Sequence, residues 1–331
     1  QTVEEECYTS STPNFWKFEE SIQRIEDEGD FMSEVLEERS PEFFIGVTSV
    51  TDRLQHSYCD DEEKMMELYS EADKFVGKIL RHFDEEDNVF IVSDHGSSEI
   101  EKVLYINTWL EEKGFLSFNE EGSKKSRLKE QLRYRTKNIA KDVLSGLNLL
   151  DFALDNVPDS IQSEVRNKSD VCDRIDWSNT EAFSTGGYVG QIYINTEEYP
   201  EGMVSEDRYD ELRDEIIEEL KQLEDPETGE KVVNQVWKKE EIYREELADR
   251  APDIMFYPKD MAYKVNDGFH GKVFDESVPN GSHGLNGVVL GKGPDIKEGA
   301  EIDLHLTDVA PTLLHLMGEE VPEDMDGEVR K

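Results

Sequence analysis

Asn88-Val89-Phe90-Ile91-Val92-Ser93-Asp94-His95-Gly96 carries the reading of this chain. An apolar run of strand length ends abruptly in a carboxylate, an imidazole and a glycine. A buried parallel strand has this form when it delivers polar groups to its carboxyl end, where open α/β sheets bind ligands. Asp94 and His95 offer a hard oxygen and a borderline nitrogen to one divalent ion. Gly96 lets the backbone turn or come close to whatever sits there. Asp-His-Gly also occurs in ordinary turns, so the tripeptide needs support from elsewhere in the chain.

That support lies upstream. Pro41 opens Glu42-Phe43-Phe44-Ile45-Gly46-Val47, a candidate core strand, and Thr51-Asp52-Arg53-Leu54-Gln55-His56 follows directly. Asp52 and His56 are four residues apart, so on one helical turn they share a face and can chelate one ion. A capping aspartate and a surface histidine would explain this pair in isolation. Two such pairs, each just beyond a strand end, are harder to dismiss. Between them, residues 61–83 read as an amphipathic helix with Met65, Leu68, Ala72, Phe75, Val76 and Ile79 facing inward. Strand, helix and strand together form the β-α-β unit of a parallel sheet.

The remaining chain is read around this unit. Residues 1–40 are acidic and helical in pattern, with Phe15, Trp16, Phe18, Ile22 and Ile25 as an apolar stripe and Thr9 to Pro13 as a helix start. Residues 1–110 are expected to be core, 111–180 a cap-like insertion and 181–331 the core continued. The insertion is polar and carries the densest basic run, Lys124 to Lys141, read first as a solvated helix face and second as an attractor for an anionic substrate. Strand signals return at Glu181–Phe183, Tyr188–Asn195 and Asp253–Tyr257, with a long acidic helix over 206–223. Gly281-Ser282-His283-Gly284 precedes a glycine-flanked strand, Asn286 to Gly291, which places His283 at a sheet edge. A last helix starts at Thr307-Asp308-Val309-Ala310-Pro311 and stops at Gly318. His82, His305 and His315 are assigned to packing and helix ends.

Composition narrows the partners. Asp and Glu number 78 against 36 Lys and Arg, a formal net charge of −42 spread along 331 residues. Apolar residues still make up 36% with clear periodicity, which argues for a folded chain. Such a surface repels itself at low ionic strength. At about 1 M salt the Debye length falls to roughly 3 Å and the repulsion is screened. The expectation is a protein of a halophile with a salt-filled cytoplasm. No basic stripe is present to neutralise the phosphates of a nucleic acid, and no apolar run is long enough to cross a membrane. Cys7, Cys59 and Cys172 are scattered and read as reduced thiols. The chain begins with Gln1, so its natural start and any signal peptide are open. Oligomeric state is open as well.

Asp52, His56, Asp94, His95 and His283 make two carboxylates and three imidazoles, a donor set suited to zinc or manganese, with the imidazoles leaning toward zinc. Two ions about 3.5–4 Å apart can clamp the attacking and leaving oxygens of a phosphoryl transfer. Five residues are too few for two tetrahedral zinc ions.

Thr-Asp-Arg-x-x-His at 51–56, Ser-Asp-His-Gly at 93–96 and Gly-Ser-His-Gly at 281–284 resemble the alkaline phosphatase superfamily, most closely its type I phosphodiesterase/nucleotide pyrophosphatase branch. Gly291 to Ile296, Asp308 to Thr312 and Met325-Asp326-Gly327 are similar to that branch's carboxyl-terminal signature. Asp176 to Ala182 and Gln191 to Asn195 fit its prokaryotic members. The resemblance runs from about residue 40 to the end. It implies a doubly wound α/β fold, a mostly parallel sheet with helices on both faces and an inserted cap. It also implies two divalent metal ions and a small phosphate-ester or nucleotide substrate. Asp52, His56 and His283 would hold one ion, and Asp94 and His95 would contribute to the other. The family's upstream aspartate and Thr or Ser nucleophile are expected before Gln1, since Thr12-Pro13 lacks the surrounding pattern. On that expectation this chain is the larger carboxyl-terminal part of a longer enzyme, and weakly active or inactive alone. Another branch of the superfamily (phosphomonoesterase, phosphonate hydrolase, sulfatase or phosphomutase) and a nonenzymatic degenerate member are the alternatives.

Overall fold

The structure, a computed structural model, describes residues 17–119, 174–187, 189–248, 251–268, 271–276 and 281–330. Two compact units divide the chain: Trp16–Ser97 with His283–Lys331, and Ser98–Ser282. The chain passes between them inside β2 (Gly96–Glu99) and again inside β10 (Gly281–Gly284).

The first unit begins with helix α1 (Phe18–Arg39), whose acidic first turn and terminal Arg39 both complement the helix dipole. It ends at Ser40, in the left-handed region at φ 43°. Helix α2 (Val50–Tyr58) and helix α3 (Glu62–Leu80) pack with it. The side chain of Asp61 caps α3 by accepting from the Lys64 amide. Phe18, Ile25, Val50, Leu54 and Leu68 form the buried centre of this trio, with Met65 and Phe75 against it. The expected stripes of α1 and α3 therefore do face inward. Phe15, Trp16 and the Thr9–Pro13 helix start lie outside the described residues.

The segment 42–47 departs from its reading. It forms no strand, and Phe43, Ile45 and Val47 alternate on an exposed edge, the last two 73% exposed each. The alternation suits a strand, but a strand needs a ladder partner, and this segment has none among the described residues. The expected β-α-β unit is accordingly not formed there. Strand β1 (Val89–Val92) pairs antiparallel with β11 (Val289–Lys292), Val89 opposite Lys292 and Val92 opposite Val289. Nor is β1 deeply buried: Ile91 and Val92 are exposed.

In the second unit, β3 (Lys102–Tyr105) lies between β8 (Tyr263–Asn266), parallel to it, and β9 (Phe274–Asp275), antiparallel. A second sheet has the order β4 (Ala182–Phe183), β5 (Gly190–Ile194), β7 (Ile254–Pro258), β6 (Val233–Lys238), all antiparallel. Helix α4 (Ile106–Lys113) and helix α5 (Glu206–Gln222) supply Trp109, Leu110, Leu212, Ile216 and Leu220 to its core. The α/β class is as expected. The expected predominance of parallel pairing is not: of the pairs above, only β3 with β8 is parallel. A run of four or five apolar residues encodes burial and says nothing of strand direction.

The segment 111–180 leaves and returns at one place. Phe118 and Ile175 form an antiparallel bridge, and the Asn119 amide donates to the Arg174 carbonyl at 2.9 Å. The basic run Lys124–Lys141 lies outside the described residues.

Near the carboxyl end, helix α6 (Val309–Leu316) follows a single tight turn. Buried Asp308 accepts from the Glu328 amide at 2.8 Å, from Arg330 Nε at 2.7 Å and from the His305 amide at 3.1 Å. Thr312 Oγ1 accepts from the Arg330 amide at 3.0 Å. Asp308 and Thr312 of the pattern at 308–312 thus form a latch that ties Glu328 and Arg330 of the tail to the start of α6.

Candidate metal centre

The five residues singled out from the sequence all belong to the first unit. Helix α2 presents Asp52 from its first turn and His56 from its last, one above the other on a shared face. Val50 and Leu54, fully buried, fix which way that face points. Asp94 and His95 follow the end of β1, and His283 lies in β10.

Glycine brings the last two motifs together. A Cβ on Gly96 would stand 2.1 Å from the Asn286 carbonyl oxygen, and one on Gly287 would stand 2.6 Å from Ser93 Oγ. Only a bare backbone permits this approach. Ser93 then bonds both ways across it. Its amide donates to the Val288 carbonyl at 2.9 Å, and its Oγ accepts from the Val288 amide at 2.7 Å. Sequence reasoning gave no role to Ser93 or Gly287, although a Gly-x-x-Gly after His283 was the available signal.

Asp52 Oδ1 sits at the centre of the cluster. His56 Nε2 is 3.2 Å from it, His283 Nε2 3.3 Å and His95 Nε2 3.8 Å. His56 Nε2 and His283 Nε2 are 3.1 Å apart, and the rings of His95 and His283 stack with centroids 3.7 Å apart. Nδ1 of His95 lies 2.9 Å from the Gly96 carbonyl. A carbonyl only accepts, so Nδ1 carries the proton and Nε2 keeps its lone pair toward the cluster. The hydrogen bond with His56 holds the Asp52 carboxyl below its ordinary value of 3.8, and the three imidazoles add to this while burial opposes it. Burial and the neighbouring His95 push the His283 imidazole below its ordinary value of 6.5. The carboxylate is thus ionised and the imidazole neutral near pH 7, the forms that bind a metal ion.

The dimensions also fit one. Zinc bonds of about 2.0–2.1 Å in a tetrahedron put neighbouring donors about 3.3 Å apart. The three separations among Asp52 Oδ1, His56 Nε2 and His283 Nε2 are 3.1, 3.2 and 3.3 Å. Asp52, His56 and His283 are the group that could hold a metal ion among the described residues, and His82, His305 and His315 join none. His95 flanks the group. The Asp94 side chain is 79% exposed, with Oδ2 3.6 Å from His95 Nε2.

A family model of type I phosphodiesterase/nucleotide pyrophosphatase matches residues 3–286. The chain belongs to that family, within the alkaline phosphatase superfamily. The family hydrolyses phosphate esters with the help of metal ions, and acts on small phosphodiester or nucleotide substrates. The match includes all five candidate residues, begins well before residue 40 and stops short of the carboxyl-terminal latch. No curated protein matches the chain. Among the described residues, no helix is long and apolar enough to cross a membrane.

Proposed function

We propose that this protein cleaves phosphodiester or nucleotide pyrophosphate bonds at a centre of two divalent ions, zinc in preference to manganese. Asp52, His56 and His283 hold one ion; Asp94 and His95 serve the other. The observation that carries the reading is the meeting of Asp52 and His56 from one motif with His283 from another at spacings that suit zinc, with His95 of the third motif beside them.

When bound, the ions would neutralise phosphoryl charge and lower the pKa of a hydroxyl nucleophile and of water. The chain's own contribution is to hold Asp52 ionised, to keep His283 neutral and to aim His95 Nε2 through the Gly96 carbonyl. The nucleophile of this reading is a Thr or Ser hydroxyl, on the pattern of the motifs. The acidic composition supports work in a salt-rich cytoplasm, where charge on a −42 chain is screened.

The test is hydrolysis of a chromogenic phosphodiester and of the matching monoester by the full-length gene product. Both are measured in molar KCl, with zinc, with manganese and with neither. Metal-dependent diester cleavage that exceeds monoester cleavage is expected. Absence of turnover with both esters under every metal would sink the proposal.

A further inference from the structure

We propose that Arg53 is the anion contact of this site, and that its guanidinium takes an oxygen of the phosphoryl group that docks beside Asp52. The inference rests on the phosphate-ester reading above. Arg53 follows Asp52 on α2 and precedes His56 by three positions, so it projects from the rim of the face that carries the donors. Asp52 is divided between two neighbours. Its Oδ1 is surrounded by the imidazoles, and its Oδ2 faces Arg53, with Nε 3.9 Å away. That gap is too long for a hydrogen bond. Asp52 is also the one carboxylate within 4.0 Å of Arg53 among the described residues.

Arg53 therefore stands next to the donor cluster with its side chain 54% exposed, in a long ion pair with Asp52 and hydrogen-bonded to no carboxylate among the described residues. On a chain with 78 acidic residues, several other basic side chains of the same unit are taken up by carboxylates. Lys78 bonds Asp30, Lys74 bonds Glu71 and Arg24 bonds Glu28. A strongly negative molecule that accepts an anionic substrate needs positive charge placed at the point of docking. A planar fork that matches two phosphoryl oxygens supplies it with direction as well as charge. The competing role is that of a positioning residue, which would hold Asp52 in place for the metal and never touch substrate.

Binding of inorganic phosphate to the zinc-loaded protein, by calorimetry in KCl, separates the two roles, with zinc affinity measured in parallel by chelator competition. Arg53→Met is expected to weaken phosphate binding by about 10- to 100-fold, with zinc affinity unchanged within about twofold. Arg53→Lys should recover part of the loss, because it restores the charge without the fork. Unchanged phosphate affinity in Arg53→Met, or wild-type protein that binds no phosphate, overturns the proposal. So does a parallel fall in zinc affinity, which would make Arg53 a positioning residue for Asp52. Ester turnover is scored separately. Protein that binds phosphate through Arg53 yet cleaves no ester keeps this contact and loses the phosphodiesterase reading.

Discussion

His56 Nε2 and His283 Nε2 lie 3.1 Å apart although 227 positions separate them in the chain. Two neutral imidazoles at this distance can share one proton, and two protonated ones repel. A metal ion uses both lone pairs at once. His283→Ala should therefore lower zinc affinity by at least about 100-fold, read by chelator competition. In the unsubstituted protein, zinc at 100 times its dissociation constant should add about 2.7 kcal/mol to stability, and a chelator should remove it. An unchanged melting temperature on chelation would count against the centre.

Gly96→Ala tests how the motifs are held together. The new methyl would meet the Asn286 carbonyl at 2.1 Å, so either the 281–287 segment or the 93–96 segment must move. We expect about 1–3 kcal/mol of destabilisation and a loss of zinc affinity comparable to that of a ligand substitution. Wild-type zinc affinity in Gly96→Ala would show that the close approach does not organise the donors.

Asp253 anchors the second unit, which contains none of the five candidate donors. Buried, it accepts from the Ile194 amide at 2.7 Å, from Lys239 Nζ at 2.9 Å and from the Tyr209 hydroxyl. Asp253→Ala leaves an amide and an ammonium without their acceptor. It should cost about 3 kcal/mol in denaturant unfolding while zinc affinity stays as it was.

The tail latch responds to acid. Bonds from the Glu328 amide and from Arg330 hold the Asp308 carboxyl below its ordinary value of 3.8. A depressed folded-state value means that its stabilisation is complete above about 3.8 and is lost as pH falls through the lower, folded value. Amide exchange at Glu328 and Arg330 should accelerate only below that range. Arg330→Ala should move the onset upward toward 3.8, and an onset unmoved by the substitution would assign the latch to the backbone bonds alone.

Salt provides a test of the charge argument. Thermal stability should rise steadily as KCl is raised from about 0.1 M toward molar concentrations, because the Debye length contracts from about 10 Å to about 3 Å. A melting temperature that falls over this range would remove screening as the purpose of the acidic surface.

Much of the helical framework was legible in advance. The stripes of α1 and α3, the acidic helix 206–223 (Glu206–Gln222 in the structure) and the final helix were all set by a 3.6-residue period that local sequence displays. Strand pairing was not. The segment Phe43–Val47 alternates as a strand should and pairs with nothing described, while β6, β8 and β9 went unread. A strand exists only through its neighbours, and those neighbours are remote in sequence.

The candidate site divides along the same line. Sequence alone determined the candidates: residue chemistry and the i, i+4 spacing singled out Asp52 and His56, and the motif strings singled out Asp94, His95 and His283. Tertiary structure decided the grouping. It set Asp52, His56 and His283 at tetrahedral spacings, stacked His95 on His283 and left Asp94 at the surface. It also turned Arg53 from one letter between two donors into a guanidinium at the rim of the cluster. A sequence fixes which side chains can bind an ion or an anion, because that is a property of the residue. Which of them meet depends on contacts between segments more than two hundred residues apart, and only folding makes those.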